Sequence, residues 1–215
     1  MLVQSAETVL RALEGAPFLL AFSGGKDSVT MLDIVARAQI PGARVVHFYL
    51  APGIPSRERL LSYYESRYGI KIDRRESWYG ATLRTGRKVK QGETFKALRE
   101  EFGVKYIAEG IKPTDSIIRC ALIKRAMAGI NHDMGAVYPI YRWYDSAVMA
   151  YIRQHKLLLP PEYQANMKHD LSNATLESLE WMKHNLPADY RVILATYPKL
   201  ADRMIQREMY AEEAR

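Results

Sequence analysis

The sequence predicts an α/β domain with a doubly wound, mostly parallel sheet of five strands, followed by a helical extension at the carboxyl end. Over residues 1–160, short apolar runs alternate with segments of helical periodicity, which is the pattern of successive βαβ units. The alternation ends at Pro160-Pro161, and residues 161–215 show helical patterns alone. We therefore expect one α/β domain over residues 1–160, with the helices of residues 161–215 packed on it.

The apolar patterns place each element in turn. Glycines at positions 15, 69 and 103 are expected to end helices, and Ser56 is expected to cap one. Strands are predicted over residues 18–22, 44–50, 70–73, 104–110 and 137–140. Helices are predicted over residues 5–14, from the first turn to 38, and over 56–68, 93–102, 116–128, 145–155, 175–184, 190–197 and 198–215.

Composition and charge narrow the class of protein. Of 215 residues, 48% are apolar and 26% charged, as in an ordinary globular protein. No apolar run approaches the roughly 20 residues that span a bilayer, and the first residues lack the pattern of a secretory signal, so we expect a cytoplasmic protein with no membrane contact. The net charge of +7 suits an anionic ligand, a nucleic acid or simply a solvated surface.

A basic segment lies between the third strand and the following helix. Arg84, Arg87, Lys88 and Lys90 stand there among three glycines, Gly80, Gly86 and Gly92. Such a segment is typical of a mobile loop. The basic loop 84–90 either grips a nucleic acid or another anionic substrate, or is simply solvated.

The glycine turn, Ser23–Ser28, joins the first strand to a helix. Gly24 and Gly25 permit backbone angles closed to other residues, and unpaired amides at a helix start attract an anion. Ser23 and Ser28 add hydroxyl groups, Lys26 adds a cation, and Asp27 could cap the helix or hold a metal. The turn is therefore predicted to bind phosphate, although strand–Gly-Gly–helix turns also occur without a ligand.

A second cluster follows the fourth strand. Gly110, Lys112, Ser116 and Arg119 place a glycine, two cations and a hydroxyl within ten residues. Lys112 could meet a phosphate as a point charge and Arg119 through two parallel hydrogen bonds, whereas Ser116 also suits a helix cap. Because carboxyl ends of parallel strands share one edge of a sheet, this cluster and the glycine turn are expected to converge on one ligand.

Three ordered segments carry a family resemblance. Ser23–Ser28 resembles the PP-loop, SGGxDS, of the N-type ATP pyrophosphatase (adenine nucleotide alpha-hydrolase) superfamily, and its spacing differs from G-x-x-x-x-G-K-S/T and from G-x-G-x-x-G. Residues 110–119 are similar to the G-I/L-R-x-x-D/E-S-x-x-R segment of 3′-phosphoadenosine-5′-phosphosulfate (PAPS) reductases, with Lys112 replacing the first arginine. Residues 138–152 are similar to a P-I/L-x-x-W-x-x-x-D-V-x-x-Y-I/L stretch of that family, with Ala147 at the acidic position, and are expected to be scaffold.

The resemblance implies a Rossmann-like fold, an adenine nucleotide (ATP or PAPS) and Mg²⁺. It also implies catalytic roles for Lys26, Lys112 and Arg119, and contact between Asp27 and the metal. The residues that it implies bind the nucleotide are Ser23, Gly24, Gly25, Lys26, Asp27, Ser28, Gly110 and Ser116. PAPS reductases attack their substrate with a cysteine near the carboxyl terminus, whereas Cys120 is the sole cysteine of this sequence. We therefore expect no thiol-dependent reduction.

Two functions from different classes remain open on the sequence. One is an enzyme that cleaves ATP between the α- and β-phosphates, adenylylates an acceptor and releases pyrophosphate. The other is a nucleotide-binding or regulatory module without catalysis. A component of a nucleic-acid modification system is a third possibility, and a partner protein or a homo-oligomer is left open.

Overall fold

The strands form one sheet in a computed structural model that describes residues 1–164 and 174–213. The end of the last predicted helix, residues 214 and 215, lies outside this part, as do residues 165–173. The strands are β1 (Phe18–Phe22), β2 (Ala43–Tyr49), β3 (Ile72–Glu76), β4 (Tyr106–Ala108), β5 (Ile130–Asn131) and β6 (Ala136–Val137).

Strand order reverses in the middle of the sheet. The order is β3-β2-β1-β4-β6-β5, and β1 is parallel to both of its neighbours, β2 and β4. The chain therefore winds outward from β1 through β2 to β3 and returns to the other side of β1 at β4. This creates a switch point between β1 and β4, where open α/β sheets bind ligands.

The predicted mostly parallel, doubly wound sheet is confirmed, but it has six strands instead of five. The additional strand, β5, is antiparallel to β6. At two residues, β5 is too short to show a period of two, so no signal for it exists in the sequence. The fifth predicted strand, residues 137–140, corresponds to β6, which ends at Val137.

Helices cover both faces of the sheet. The helices before the extension are α1 (Leu2–Arg11), α2 (Lys26–Arg37), α3 (Pro55–Tyr68), α4 (Trp78–Thr85), α5 (Gln91–Phe102), α6 (Ile117–Lys124) and α7 (Asp145–Gln154). Leu20 and Val45 face a core built with α1, α2, α3 and α7, whereas Leu19 and Val46, one position away on each strand, face α5. This alternation follows from the period of two along a strand.

The carboxyl-terminal helices pack on the segment that follows β2. They are α8 (Pro161–Gln164), α9 (Leu176–Asn185), α10 (Pro187–Thr196) and α11 (Pro198–Glu213). Leu179, Ile193 and Leu200 form an apolar cluster with Leu50 and Ile54. Among the described residues, no helix is long and apolar enough to cross a membrane.

The expected serine cap of α3 is wrong. The helix starts at Pro55 with Ile54 as its cap residue, because proline's fixed φ and missing N–H suit the first helical position. The main-chain N–H of Ser56 instead donates to Asp189 Oδ1 of α10 at 3.0 Å. A side chain of the extension thus caps a helix of the α/β core.

The basic segment is helical in its first part. Gly80 lies within α4 and Gly92 within α5, so the loop between helices is confined to residues 86–90. Ser77 caps α4 by accepting from the Gly80 N–H at 3.0 Å. Glycine spacing suggested a longer loop because glycines inside helices resemble loop glycines in sequence.

Candidate functional site

The glycine turn lies at the switch point, directly after β1. Gly24 has φ +81°, a conformation that favours glycine, and Gly25 is the cap residue of α2. A side chain on Gly24 would begin 2.9 Å from Leu60 Cδ2. The turn therefore needs glycine at position 24 for its backbone angle, whereas Gly25 has an ordinary extended backbone with φ −75°.

The serines hold the turn in shape. Ser23 Oγ accepts from the Gly25 N–H at 3.2 Å and lies 3.1 Å from Ser28 Oγ, which donates to the Gly25 carbonyl at 2.9 Å. Within the described residues, the main-chain N–H groups of Asp27 and Ser28 have no hydrogen-bond acceptor. The turn is thus a rigid cradle with donors left for an anion at the positive end of α2.

Three cations and three carboxylates form a network beside the turn. Lys26 Nζ lies 2.8 Å from Asp27 Oδ2 and 3.3 Å from Asp145 Oδ1. Lys112 Nζ lies 2.5 Å from Asp27 Oδ1 and 3.1 Å from Asp115 Oδ1. The remaining contacts are Lys112 Nζ to Asp145 Oδ1 at 3.3 Å and Arg119 Nη1 to Asp115 Oδ2 at 3.1 Å.

The network shifts the pKa values of Lys26, Asp115 and Asp145. Burial disfavours the charge of Lys26, but Asp27 and Asp145 outweigh it and raise the lysine pKa above its usual range. Burial likewise opposes the charge of Asp115 and Asp145, yet Lys112 holds the pKa of Asp115, and Lys26 and Lys112 hold the pKa of Asp145, below the usual range. These three groups are therefore charged near neutral pH.

Lys112 is fully buried, with no exposed side-chain surface. The resemblance implied that its ammonium contacts phosphate, but here three carboxylates surround it. Its position instead favours a structural part in fixing Asp27 at the start of α2. Arg119 is half exposed, so it is the cation of this cluster that faces outward. Ser116 caps α6 by accepting a hydrogen bond from the Arg119 N–H at 3.1 Å.

Asp145 was not predicted as a site residue. It is the first residue of α7, in the stretch interpreted as scaffold, and its carboxylate is 64% exposed. Trp143 and Tyr151 of the same stretch are buried as expected, and the Tyr151 hydroxyl donates to Asp33 Oδ2 at 2.6 Å. An acidic residue in the first turn of a helix was the one signal for Asp145, and it is a common feature of helices.

Gly110 brings the end of β4 against the glycine turn. A side chain on Gly110 would begin 3.1 Å from the Asp27 carbonyl carbon and 3.2 Å from the Ser28 nitrogen. The predicted convergence of the two segments on one edge is therefore observed in the structure. Gly110 acts by lacking a side chain at this contact.

Gly110→Ala is expected to destabilise the protein by about 1–3 kcal/mol, because the new methyl group pushes on main chain that cannot rotate away. Urea unfolding measures the change. Gly92→Ala is the matched control, since Gly92 lies in α5 with nothing near its Cβ position and should gain about 0.5–1 kcal/mol. Equal effects of the two substitutions would contradict the close packing of β4 on the turn.

Glu109 lies at the end of β4, next to Gly110. Its Oε2 accepts from Gln91 Nε2 at 2.9 Å, and no ion pair to this carboxylate is found in the described part of the chain. Burial raises the pKa of Glu109 to about 7. A carboxyl group that titrates near neutral pH at the switch point is a candidate functional group that the sequence did not single out.

Glu109→Gln is expected to change how stability depends on pH. The folded pKa of about 7 exceeds the usual 4.3 of an unfolded chain, so the wild type loses stability as pH rises between these values. Urea unfolding from pH 5 to 8 should show the variant gaining about 1–3 kcal/mol relative to wild type across this window. Glu100→Gln, at an exposed position of α5, should show no such gain, and a parallel profile for both variants would refute the assignment.

His47 is structural. It lies near the carboxyl end of β2, its ring is buried, and Nδ1 lies 2.8 Å from the Phe22 carbonyl oxygen. Burial lowers the pKa of His47 to about 4. The ring is therefore neutral at physiological pH and joins β2 to β1.

The carboxylate of Asp27 is engaged by two lysines. Asp27, the predicted magnesium ligand, has each carboxylate oxygen against a lysine ammonium. Among the described residues, no group of three His, Cys, Asp or Glu side chains could hold a metal ion. Magnesium at Asp27 therefore stays a prediction.

The basic loop 84–90 is followed by Gln91, which contacts the end of β4. Arg84 is paired with Glu76, at 2.7 Å from Arg84 Nη2 to Glu76 Oε2, whereas Arg87, Lys88 and Lys90 are exposed. Gln91, the next residue, donates to Glu109 at the end of β4. The loop therefore ends at a residue that contacts the segment following β4.

Residues near the turn that the sequence did not single out come from α3 and α8. Tyr163 accepts a hydrogen bond from the Lys26 N–H, and Glu162 pairs with Arg57. No motif marked them, because they lie in segments far from the turn in sequence.

Comparison with known proteins identifies relatives at the level of family and fold. The model of the phosphoadenosine phosphosulfate reductase domain matches residues 17–193. No curated protein matches the sequence. Solved structures do match the fold, and the three described next have identities of 17% or less.

The three structures come from three different kinds of enzyme. PAPS reductase from Candida auris, a phosphate complex, has a TM-score of 0.55 and 17% identity over 76% of this chain and 86% of its own. The U34-tRNA thiolase NcsA from Methanococcus maripaludis, with its [4Fe-4S] cluster, has a TM-score of 0.53 and 13% identity over 94% and 79%. The NH3-dependent NAD synthetase from Campylobacter jejuni, with a nitrate ion, has a TM-score of 0.51 and 10% identity over 95% and 93%.

Proposed function

Because this chain belongs to the phosphoadenosine phosphosulfate reductase domain family, we propose that it binds an adenine nucleotide at the glycine turn and cleaves ATP between the α- and β-phosphates. The observation that carries the proposal is the pair of unbonded amides, those of Asp27 and Ser28, at the start of α2 beside the switch point. Amides fixed in this way stabilise anionic oxygens without reorganising during the reaction.

The chemistry is an in-line displacement at the α-phosphorus. An acceptor nucleophile forms a bond to this phosphorus, the bond to the bridging oxygen breaks, and pyrophosphate leaves with the electron pair while the acceptor loses its proton. Lys26 offsets the charge that develops on pyrophosphate, and Arg119 binds the phosphates from the β4 side. Lys112 holds Asp27 in place, which keeps the first turn of α2 oriented.

Neither a metal ion nor a thiol carries a step of the proposed reaction. Magnesium would accompany the nucleotide as its counter-ion, and no step is assigned to it. Cys120, the sole cysteine of these 215 residues, lies partly exposed in α6 and has no part in the reaction. The proposed reaction takes place in the cytoplasm, where ATP is available.

The first experiment identifies the nucleotide. Native mass spectrometry of the purified protein should show a bound adenine nucleotide, and its mass separates ATP, AMP and a 3′-phosphorylated adenylate such as PAPS. Calorimetric titration with ATP and with PAPS then compares the affinities directly. Failure to bind either nucleotide would overturn the proposed function.

The second experiment asks for turnover. The protein is incubated with ATP, Mg²⁺ and candidate acceptors, and pyrophosphate and AMP are measured. Acceptor-dependent release of pyrophosphate supports the enzyme. Tight nucleotide binding with no turnover on any acceptor would favour the nucleotide-binding or regulatory module.

A nucleic acid is the acceptor class that one observation favours. The exposed cations Arg87, Lys88 and Lys90 precede Gln91, which donates a hydrogen bond to Glu109 after β4. A polyanion bound along this loop would extend toward the nucleotide. Binding of tRNA or duplex DNA should weaken as salt rises, because phosphate contacts release counter-ions. Binding that is absent, or insensitive to salt, would contradict a nucleic-acid acceptor.

A further inference from the structure

A short segment of the chain closes over the glycine turn. This strap, Pro160–Gln164, contains the one-turn helix α8. The Tyr163 hydroxyl accepts a hydrogen bond from the Lys26 N–H at 3.2 Å and lies 3.1 Å from where a side chain on Gly25 would begin. It thus occupies the first main-chain donor of α2, which is where a phosphate oxygen would be held.

The same strap neutralises a cation beside the turn. Arg57, in the first turn of α3, pairs through Nη2 with Glu162 Oε1, and both side chains are largely buried. Arg57 Nη1 lies 3.9 Å from where a side chain on Gly24 would begin. With Glu162 moved away, Arg57 would have no ion-pair partner among the described residues and would stand next to the cradle.

The closed strap contains an unsatisfied group. Glu162 Oε2 is buried and has no hydrogen-bond partner in the part of the chain that the structure describes. A buried carboxylate oxygen without a partner is unfavourable, and exposure to water would satisfy it. When the strap is released, hydration of Glu162 Oε2 therefore offsets part of the free energy that is lost with the Arg57–Glu162 pair and the Tyr163 hydrogen bond.

Resting on the proposed function, we propose that Arg57 is a further phosphate-binding cation of this site and that the strap takes the place of phosphate when no nucleotide is bound. An arriving phosphate replaces the Tyr163 hydroxyl at the Lys26 amide. Glu162 then moves into water, and the Arg57 guanidinium donates two parallel hydrogen bonds to the phosphate. The site thus gains a cation on the α3 side, opposite Arg119 on the β4 side.

Competition by the strap is tested by Tyr163→Phe, which removes the hydroxyl alone. Calorimetric titration of the full chain with ATP and with inorganic pyrophosphate should show binding that is tighter than wild type by roughly three- to tenfold, the worth of one hydrogen bond. Tyr197→Phe is the matched control: it removes a hydroxyl that joins the extension to the Leu50 carbonyl, away from the turn, and should leave affinity unchanged.

The part played by Arg57 is isolated by comparing Glu162→Gln with the double variant Arg57→Gln/Glu162→Gln. Both variants carry the same neutral amide in the strap, so the strap is equally weakened and they differ in the guanidinium alone. The single variant should bind ATP and pyrophosphate more tightly than wild type, and the double variant at least about tenfold more weakly than the single one. Thermal melts confirm that both are folded, because the single variant leaves the Arg57 charge with only an amide oxygen as its partner, whereas the double variant leaves no charge at this pair.

The outcomes separate this inference from the proposed function. If wild type binds ATP but Tyr163→Phe binds no more tightly, or more weakly, the strap does not compete with phosphate. If the single and double variants bind equally, Arg57 does not contact phosphate. If wild type and every variant bind neither ATP nor pyrophosphate, the proposed function itself fails, and this inference with it.

Discussion

Lys112→Met should destabilise the protein by about 3–5 kcal/mol, because it removes the buried ammonium that contacts three carboxylates. Asp27 and Asp145 then share Lys26, and Asp115 keeps Arg119 alone. For a chain of this size, the melting temperature should fall by roughly 6–20 °C. Calorimetry or circular dichroism measures the shift. Lys96→Met, the same substitution at an exposed position of α5, should stay within about 0.5 kcal/mol of wild type.

The pH dependence of wild type and Lys112→Met gives a second readout. The lysines hold the pKa of Asp115 and of Asp145 below the usual range, so in wild type these pairs contribute stability above an unfolded pKa of about 3.9 and lose it as pH falls through the folded values. Without Lys112 this acid-sensitive contribution should shrink. A variant as stable as wild type, with an unchanged acid limb, would show that Lys112 does not serve as the counter-charge of the network.

Lys26→Ala should weaken nucleotide binding by roughly ten- to hundredfold while the fold is retained, because a charge-assisted contact to phosphate is lost. Lys112 still pairs with Asp27 and Asp145 when the Lys26 ammonium is removed, so we expect the variant to remain folded. Calorimetric titration with ATP measures affinity, and a thermal melt measures the fold.

Lys96→Ala provides the control for net charge. It removes one positive charge from an exposed position of α5, so it changes long-range attraction of an anion by a similar amount without touching the turn. The difference between the two variants is therefore the local contact of Lys26. Equal affinities of wild type and Lys26→Ala would contradict phosphate binding at the glycine turn.

The positive and negative charges around the glycine turn balance one another. Lys26, Lys112 and Arg119 are matched by Asp27, Asp115 and Asp145, so the site is neutral in spite of the net charge of the chain. The attraction for an anion must then come from the fixed amides of the turn and from cations that can exchange partners. Lys26 is one such cation, and Arg57, under the strap, is the other that we propose.

Local patterns in the sequence were sufficient for the α/β core. The apolar runs of β1 and β2 predicted strands buried on both faces, and the run before Gly24 located the turn to the residue. They were not sufficient for β5, whose two residues pair with β6, nor for α4, whose glycines suggested a loop. Two residues are too few to show a period of two, and glycines inside a helix resemble loop glycines in sequence.

The sequence alone was enough to locate the glycine turn, the family and the sheet edge on which two distant segments meet. Each of these rests on residues close together in the chain or on the rule that parallel strands share an edge. Which charges meet was settled only by tertiary packing. It surrounded Lys112 with carboxylates from three segments, placed Asp145 against Lys26, and set Tyr163 on the Lys26 amide. Such contacts depend on how whole helices pack, and packing brings together residues more than a hundred positions apart that no local spacing relates.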